Sequence, residues 1–503
     1  MRHLGKNILN QVLIAVSFMS LFLPVSAPTA TYYIAKTGND ANSCTQAQSQ
    51  NMPKLTIQAG INCAINASDN VIVKSGTYLE SVIVRRSGAN GKPITLKAYP
   101  GDAVIWRAPT TDTDSLTGAI SIMDSSYIHI EGFTFDGTRA RATIRVLNTT
   151  GDKTINPIRG IEIISNTFTD NGSNTNMRKN LSCVLYLQHI GHDNAYTGRP
   201  VNTITGNLFK ANYGSDIYLL GTTDTFIHHN TSMYLKSSQE RWNNDYFLAR
   251  SIFIGADRTN AAKRNIVERN TISNITKDAY VTTMHEGSGI RFDVEAGLNI
   301  VQHNTIHSIN MGQSGIGGKT RAHGIYVEND SGGNEIRENI VYDIAESCYR
   351  DGSKLTPINV GNKWIGNVGY NCGHCGISLS HAQSTLVKNN IFMNNGQAQI
   401  FVSDSSVRAG GHIFRHNDYF NPSTAHIGVW NSTQTVCANA GHTLLSWANV
   451  SGDTNSLSVD PKFVSAPPDF HLQPGSPVAT AGERGVTMGA YELSKTLSPP
   501  PKP

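Results

Sequence analysis

The sequence is short of charge. Only 16% of its 503 residues are Asp, Glu, Lys or Arg, and 41 basic against 37 acidic residues leave a formal net charge of +4. No long run of one sign occurs, so neither a highly charged disordered chain nor a nucleic-acid-binding surface is implied. Long apolar runs are missing too. The most sustained, residues 12–23, falls well under the ~20 residues that span a bilayer. With Arg2, His3 and Lys6 before it and small residues over 25–30 after it, this run has the pattern of a secretory signal over residues 1–30, cut between Ser26 and Thr31. The expectation is a secreted or periplasmic chain with no stable membrane anchor, carrying about +2 after cleavage.

Seven cysteines in an exported chain read as disulfide material with one left over. Cys44 and Cys63 are near neighbours suited to pairing, while Cys183 and Cys437 stand apart in sequence. Cys348, Cys372 and Cys375 lie close together, and Cys372-Gly373-His374-Cys375 has the spacing of a redox motif. That chemistry needs a helix N-terminus to acidify a thiol. In a β-type repeat a structural bridge is the better reading, with a zinc site using His374 or His381 behind it.

What is abundant is glycine, 45 residues, together with a phrase of an apolar residue, one or two polar residues, Asn, and a β-branched or aromatic residue. It recurs around Asn166, Asn207, Asn230, Asn270, Asn304, Asn339, Asn390 and Asn417, a solenoid spacing with variable insertions. Short alternating strands over 160–164, 251–254, 289–294, 324–327 and 376–379 accompany it. Parallel strands about 4.8 Å apart, one per turn of a spiral, would stack the Asn amides. The fold class expected is all-β, a right-handed parallel β-helix over residues 31–454. A propeller would need more even spacing and more hairpins. Residues 55–64 place Ile57, Ile61 and Ala64 on one helical face, an N-terminal capping helix for the first coil. A separate C-terminal β module is expected over 455–493, and the Pro-rich tail 494–503 is expected to be disordered.

Several phrases then resemble a known family. Tyr32-Tyr33-Ile34-Ala35-Lys36-Thr37-Gly38-Asn39-Asp40, Leu55-Thr56-Ile57-Gln58, Val71-Ile72-Val73-Lys74-Ser75-Gly76-Thr77-Tyr78 and Pro93-Ile94-Thr95-Leu96-Lys97-Ala98-Tyr99-Pro100-Gly101 resemble the N-terminal portion of exported β-helix polysaccharide lyases of the family 9 pectate lyase and chondroitinase B type. Val459-Asp460-Pro461-Lys462-Phe463 and Met488-Gly489-Ala490-Tyr491-Glu492 are similar to a terminal module of secreted bacterial β-helix proteins. The resemblance implies export, the β-helix and action on polysaccharide. In that family a catalytic Lys follows Gly-x-Gly-aromatic; here Gly287-Ser288-Gly289-Ile290-Arg291 puts Arg291 in its place. The family's calcium-binding acidic coil has its counterpart at Gly214-Ser215-Asp216-Ile217, which keeps one acid, so calcium is a possible cofactor and the metal ligands are unknown.

Ionisable groups concentrate over residues 280–351. Aligning strands on Gly289 and Gly324 stacks Asp293 over Glu328 in one exposed column, with Arg291 and Glu295 facing the same way and Ile290, Phe292 and Val294 inward. Two acids one strand spacing apart repel, so one takes up a proton, a cation or Arg291. His323 and Arg291 complete the catalytic candidates with Asp293 and Glu328. Lys319, Arg321, His285 and Tyr326 are the substrate-binding candidates; Glu286, Arg350 and Asp351 lie close by in sequence. β-Elimination on a uronate would use the cations to hold the enediolate and Lys319, His323 or Arg291 as base. Hydrolysis would use the two carboxylates as acid and nucleophile, and a non-catalytic glycan-binding surface is a third reading. Against all three stands an ordinary surface ion-pair ladder, worth at most about 1 kcal/mol per pair. The partner expected is an anionic polysaccharide, not nucleic acid, bound by a monomer.

Overall fold

The computed structural model describes residues 29–109, 118–151, 157–172, 182–191, 201–239, 246–257, 260–277, 284–312, 321–352, 358–434 and 437–491. The signal pattern through residue 28, the whole Pro-rich tail 494–503 and Lys319 lie outside them. Each coil contributes one strand to each of three sheets. In one coil these are Ala142–Leu147 in sheet C, Ile161–Ile164 in sheet A and Thr167–Thr169 in sheet B, after which Cys183–Gln188 returns to sheet C. Every one of these strands pairs in parallel with its counterpart a coil away. Among the described residues sheet A runs through 13 strands, sheet B through 12 and sheet C through 14. The fold is a three-sheet parallel β-helix.

The recurring Asn explains how the spiral turns. Between sheets A and B only two residues reverse the chain, and the first takes a left-handed conformation, as at Ser165 (φ 54°), His229 (φ 52°) and His303 (φ 55°). The second is the Asn, whose side chain points inward. From Asn166 through Asn207, Asn230, Asn270, Asn304, Asn339, Asn367 and Asn390 to Asn417, each Nδ2 donates to the Oδ1 of the next at 2.9–3.2 Å. The same Oδ1 accepts the preceding Asn's backbone N–H, as Asn304 Oδ1 does from Asn270. Burying amides is tolerable because the row leaves them satisfied. Asn367, after Gly366, is the member passed over in the sequence. A second row, Asn265, Asn299, Asn334 and Asn362, ends on the inward carboxylate of Asp351.

The ends are closed by helices. Ile57–Cys63 is capped by Thr56, buries Ile57 and Ile61, and is tied by the Cys44–Cys63 disulfide. At the other end Leu444–Ser451 buries Trp447 against Phe414 and Tyr419. The segment beyond Ser451 adds to this closure before it turns away. Residues 454 and 457 still pair with the last coil. The chain then folds back along sheet B, where an antiparallel hairpin of Phe463–Ser465 and Asp469–Leu472 brings Phe470, Leu472, Val478 and Met488 onto Ile340, Tyr342, Val368 and Ile391. Cys348 pairs with Cys372 and Cys375 with Cys437, leaving Cys183 free and buried. The two cysteines of the redox-like motif therefore have separate partners, and the zinc reading fails because all three clustered thiols are spent in bridges.

Candidate functional site

Sheet C carries the ionisable cluster. Strands Tyr246–Gly255, Met284–Asp293, Arg321–Val327 and Ser347–Gly352 lie side by side, in a register that sets Arg250 beside Ser288, His323 and Ser347, and Phe253 beside Arg291, Tyr326 and Arg350. These two rows face outward and are three residues apart, because each strand takes two successive inward positions between them. Gly289 occupies the first: a Cβ there would sit 2.6 Å from Ile306 Cγ2 and 2.8 Å from the Gly324 oxygen. Glycine is required by close approach to the core.

Arg291 is the hub. Its Nη1 meets Glu286 Oε1, and its Nη2 meets both Glu328 Oε2 and, at 3.0 Å, Asp293 Oδ2. The side chains of Arg291, Glu286 and Glu328 are 5%, 3% and 0% exposed, against 15% for Asp293. The expected exposed column of acids is thus a buried one, and the pairing of Asp293 with Glu328 holds: Glu328 N donates to Phe292 O, continuing the register. The shared cation offsets part of their mutual repulsion. Val294 departs from the expected alternation; the strand ends at Asp293, Val294 turns at φ 46° and is exposed, and Ala296 takes the inward place.

Tyr326 lies between two guanidiniums, 5.2 Å from Arg291 Cζ and 5.3 Å from Arg350 Cζ, and the edge of His323 meets its ring at 4.9 Å. With its ring so covered, Tyr326 presents no free face for stacking. The Tyr326 hydroxyl, Ser288 Oγ and His323 Nδ1 are all buried with no hydrogen-bond partner among the described residues, and Arg321 Nη1 is likewise unpartnered. His323 Nε2 points toward Glu346 Oε2 at 3.5 Å. Burial pushes His323 well below its ordinary value, and the charges of Arg350, Arg321 and Arg291 push the same way, so the imidazole is neutral at neutral pH. Burial raises the Tyr326 phenol, which keeps its proton. It also lifts Glu346 up to about 7, against the pull of Arg350.

The structure brings together Asp293, Glu328, Arg291, His323, Tyr326 and Arg321 from the sequence candidates. His285 lies on the same strand as Glu286, but its side chain, like all of Lys319, falls outside the described residues. Asp351 turns inward, away from this face, where Asn359 and Asn362 donate to it. Glu346 was not foreseen. The signal was present in Cys348, which stands where Gly289 and Gly324 stand in the preceding coils; an alignment on glycine passes over that strand. Asp216, the acid offered for calcium, is buried inside the coil, accepts from Asn212 Nδ2 at 3.0 Å and Ser232 Oγ at 2.5 Å, and is pushed up to about 7 by burial. It faces the core, where no ion could reach it from sheet C. Among the described residues no cluster of three His, Cys, Asp or Glu forms a metal site.

Comparison with known proteins supports the fold. The family described as "Right handed beta helix region" matches residues 318–440, so the fold is a right-handed parallel β-helix. No curated protein matches the chain in sequence. Solved structures similar to it include pectate lyase Pel9A, with 13% identity over 93% of this chain and 97% of that one and a TM-score of 0.41. XylC in complex with xylose has 12% identity over 80% and 86% at a TM-score of 0.42. An alginate lyase from Paenibacillus sp. has 13% identity over 76% and 96% at 0.37. At that distance none of them assigns this chain's chemistry.

Proposed function

We propose that the protein is an exported polysaccharide lyase that cleaves a uronate-containing chain by β-elimination. The observation that carries this reading is a neutral imidazole in contact with a protonated, unpartnered phenol between two guanidiniums. Arg350 would neutralise the substrate carboxylate and hold the enediolate, while Arg291, held by Glu286, Asp293 and Glu328, stays against the Tyr326 ring. His323 would take the proton from C5, and as the C4–O bond breaks to leave a C4=C5 double bond, Tyr326 would give its proton to the departing oxygen. Arg291 cannot be the base, since a guanidinium keeps its proton. Calcium does not fit here: Asp293, Glu328 and Glu286 are engaged by Arg291, and Asp216 faces inward. His323 and Tyr326 are both fully buried, so reaching them requires displacing what covers them.

The hydrolase reading needs Asp293 or Glu328 as a proton donor, but both accept from the same Arg291 nitrogen. Export is supported by the N-terminal pattern and by three disulfides, which persist in oxidising compartments. Among the described residues no helix is long and apolar enough to cross a membrane. Incubation with polygalacturonate, alginate and chondroitin should generate the absorbance of an unsaturated uronate on one of them. His323→Ala and Tyr326→Phe should each lower that rate by roughly 10²- to 10⁴-fold with the melting temperature kept. New reducing ends without the absorbance would establish the hydrolase instead, and retention of a glycan with neither signal would establish a binding protein.

A further inference from the structure

A concavity lies away from sheet C, where the back-folded C-terminal segment crosses the turns between sheets A and B. Its volume is about 830 Å³. The floor is the turn column, including His303, Thr305 and Glu338, and the wall is residues 479–491, ending at Tyr491. The wall is fastened to the coils. Lys388 Nζ and Arg415 Nη2 reach Glu483 at 2.7 and 3.0 Å, Glu483 N donates to Asn389 Oδ1 at 2.8 Å, and Gly489 N donates to Asn389 O at 2.7 Å. The cleft is therefore preformed, which spares a ligand the cost of ordering it.

Its chemistry is unlike that of sheet C. No lysine or arginine is among its described lining residues; it offers the Glu338 carboxylate, the His303 imidazole 3.0 Å from it, and the hydroxyls of Thr305, Thr480 and Thr487. Tyr491 adds an aromatic wall, held by stacking on His471 at 4.0 Å and 16°. The side chains of His303 and Glu338 are 36% and 43% exposed, so both are reachable. An immobilised aromatic ring suits the apolar face of a pyranose. A carboxylate flanked by hydroxyls accepts from vicinal sugar hydroxyls and repels an anionic chain.

We infer that this cleft is a second saccharide site, specific for neutral sugar units. It would hold an uncharged stretch or branch of a polymer whose uronate units go to sheet C. The choice of a sugar as ligand rests on the function proposed above, but the site's existence does not depend on the lyase chemistry. The test is calorimetric titration of the His323→Ala protein, which is silent in catalysis under that reading, with the uncharged hexasaccharides of β-1,4-glucose, β-1,4-xylose and β-1,4-galactose and with hexagalacturonate. At least one neutral hexasaccharide should bind, and Tyr491→Ala and Glu338→Ala should each weaken it by about tenfold or more. On a wild-type background the same two variants should leave turnover of short uronate oligomers unchanged. Glu338 is exposed, so its variant tests the idea even if Tyr491→Ala disturbs the hairpin. Absence of any neutral binding at millimolar ligand, binding indifferent to both substitutions, or hexagalacturonate bound there as tightly as the neutral sugars would overturn the inference. Neutral binding that persists when no uronate polymer is cleaved would separate its fate from that of the lyase reading.

Discussion

The interior Asn row and the outward rows of sheet C are both buried and polar, and they are built on opposite terms. In the interior Asn row every amide from Asn166 to Asn390 finds the next one, at 2.9–3.2 Å. On sheet C the Ser288 and Tyr326 hydroxyls and His323 Nδ1 are equally buried and find nothing among the described residues. Both rows use the same coil spacing, so geometry alone does not separate them. Satisfaction does: the first row spends its polar groups on holding the fold, whereas the second keeps them free at the cost of desolvation.

Four substitutions sharpen that contrast or break it. Arg291→Met should have the largest effect, about 3–5 kcal/mol of lost stability by urea titration, since it removes the shared cation from the buried Glu286 and Glu328; a loss below 1 kcal/mol would mean that the cluster is loosely hydrated. Asn304→Ala should cost about 1–3 kcal/mol, because Asn270 loses the acceptor for both its Nδ2 and its backbone N–H. Asp216 should act through pH. Its folded value, about 7 against 3.8 for the ordinary group, means that the native state holds the proton more tightly, so its contribution to stability is full below about 3.8 and is lost as pH rises through 7. Asp216→Asn should therefore be more stable than wild type at pH 8 and lose that advantage near pH 4, as read by calorimetry; a pH-independent difference would contradict the buried protonated acid. Tyr326→Phe should change stability least, within about 1 kcal/mol and toward stabilisation, because the hydroxyl it removes has no partner. A large destabilisation would place Tyr326 with the structural row.

Much of the fold was legible because the turn between sheets A and B writes itself into sequence as one Asn per coil. Asn367 was passed over although Ile365-Gly366-Asn367-Val368 carries the same phrase. Aligning Gly289 with Gly324 stacked Asp293 over Glu328, and the strands do run in that register, with Arg291 beside Tyr326 and Ser288 beside His323, since close approach to Ile306 and Val341 permits little else than glycine there. Burial was not legible. Arg337 with Glu335, on sheet A, has side chains 39% and 26% exposed, and nothing in the residue types distinguishes that surface pair from Arg291 and Glu328 on sheet C. Glu346 was hidden because Cys348 replaces the guiding glycine. The cleft against Tyr491 joins parts of the chain too far apart for any local pattern to reveal.

The back-folded C-terminal segment has a mechanical consequence. A stack whose turns touch only their immediate neighbours frays from its ends, one turn at a time. By gripping Ile340, Val368 and Ile391, which belong to three successive turns, and by the ion pairs of Lys388 and Arg415 with Glu483, this strap welds the last third of the spiral into one unit. Peeling must begin by stripping the strap, so the end of the molecule that would unravel first is made to give way all at once.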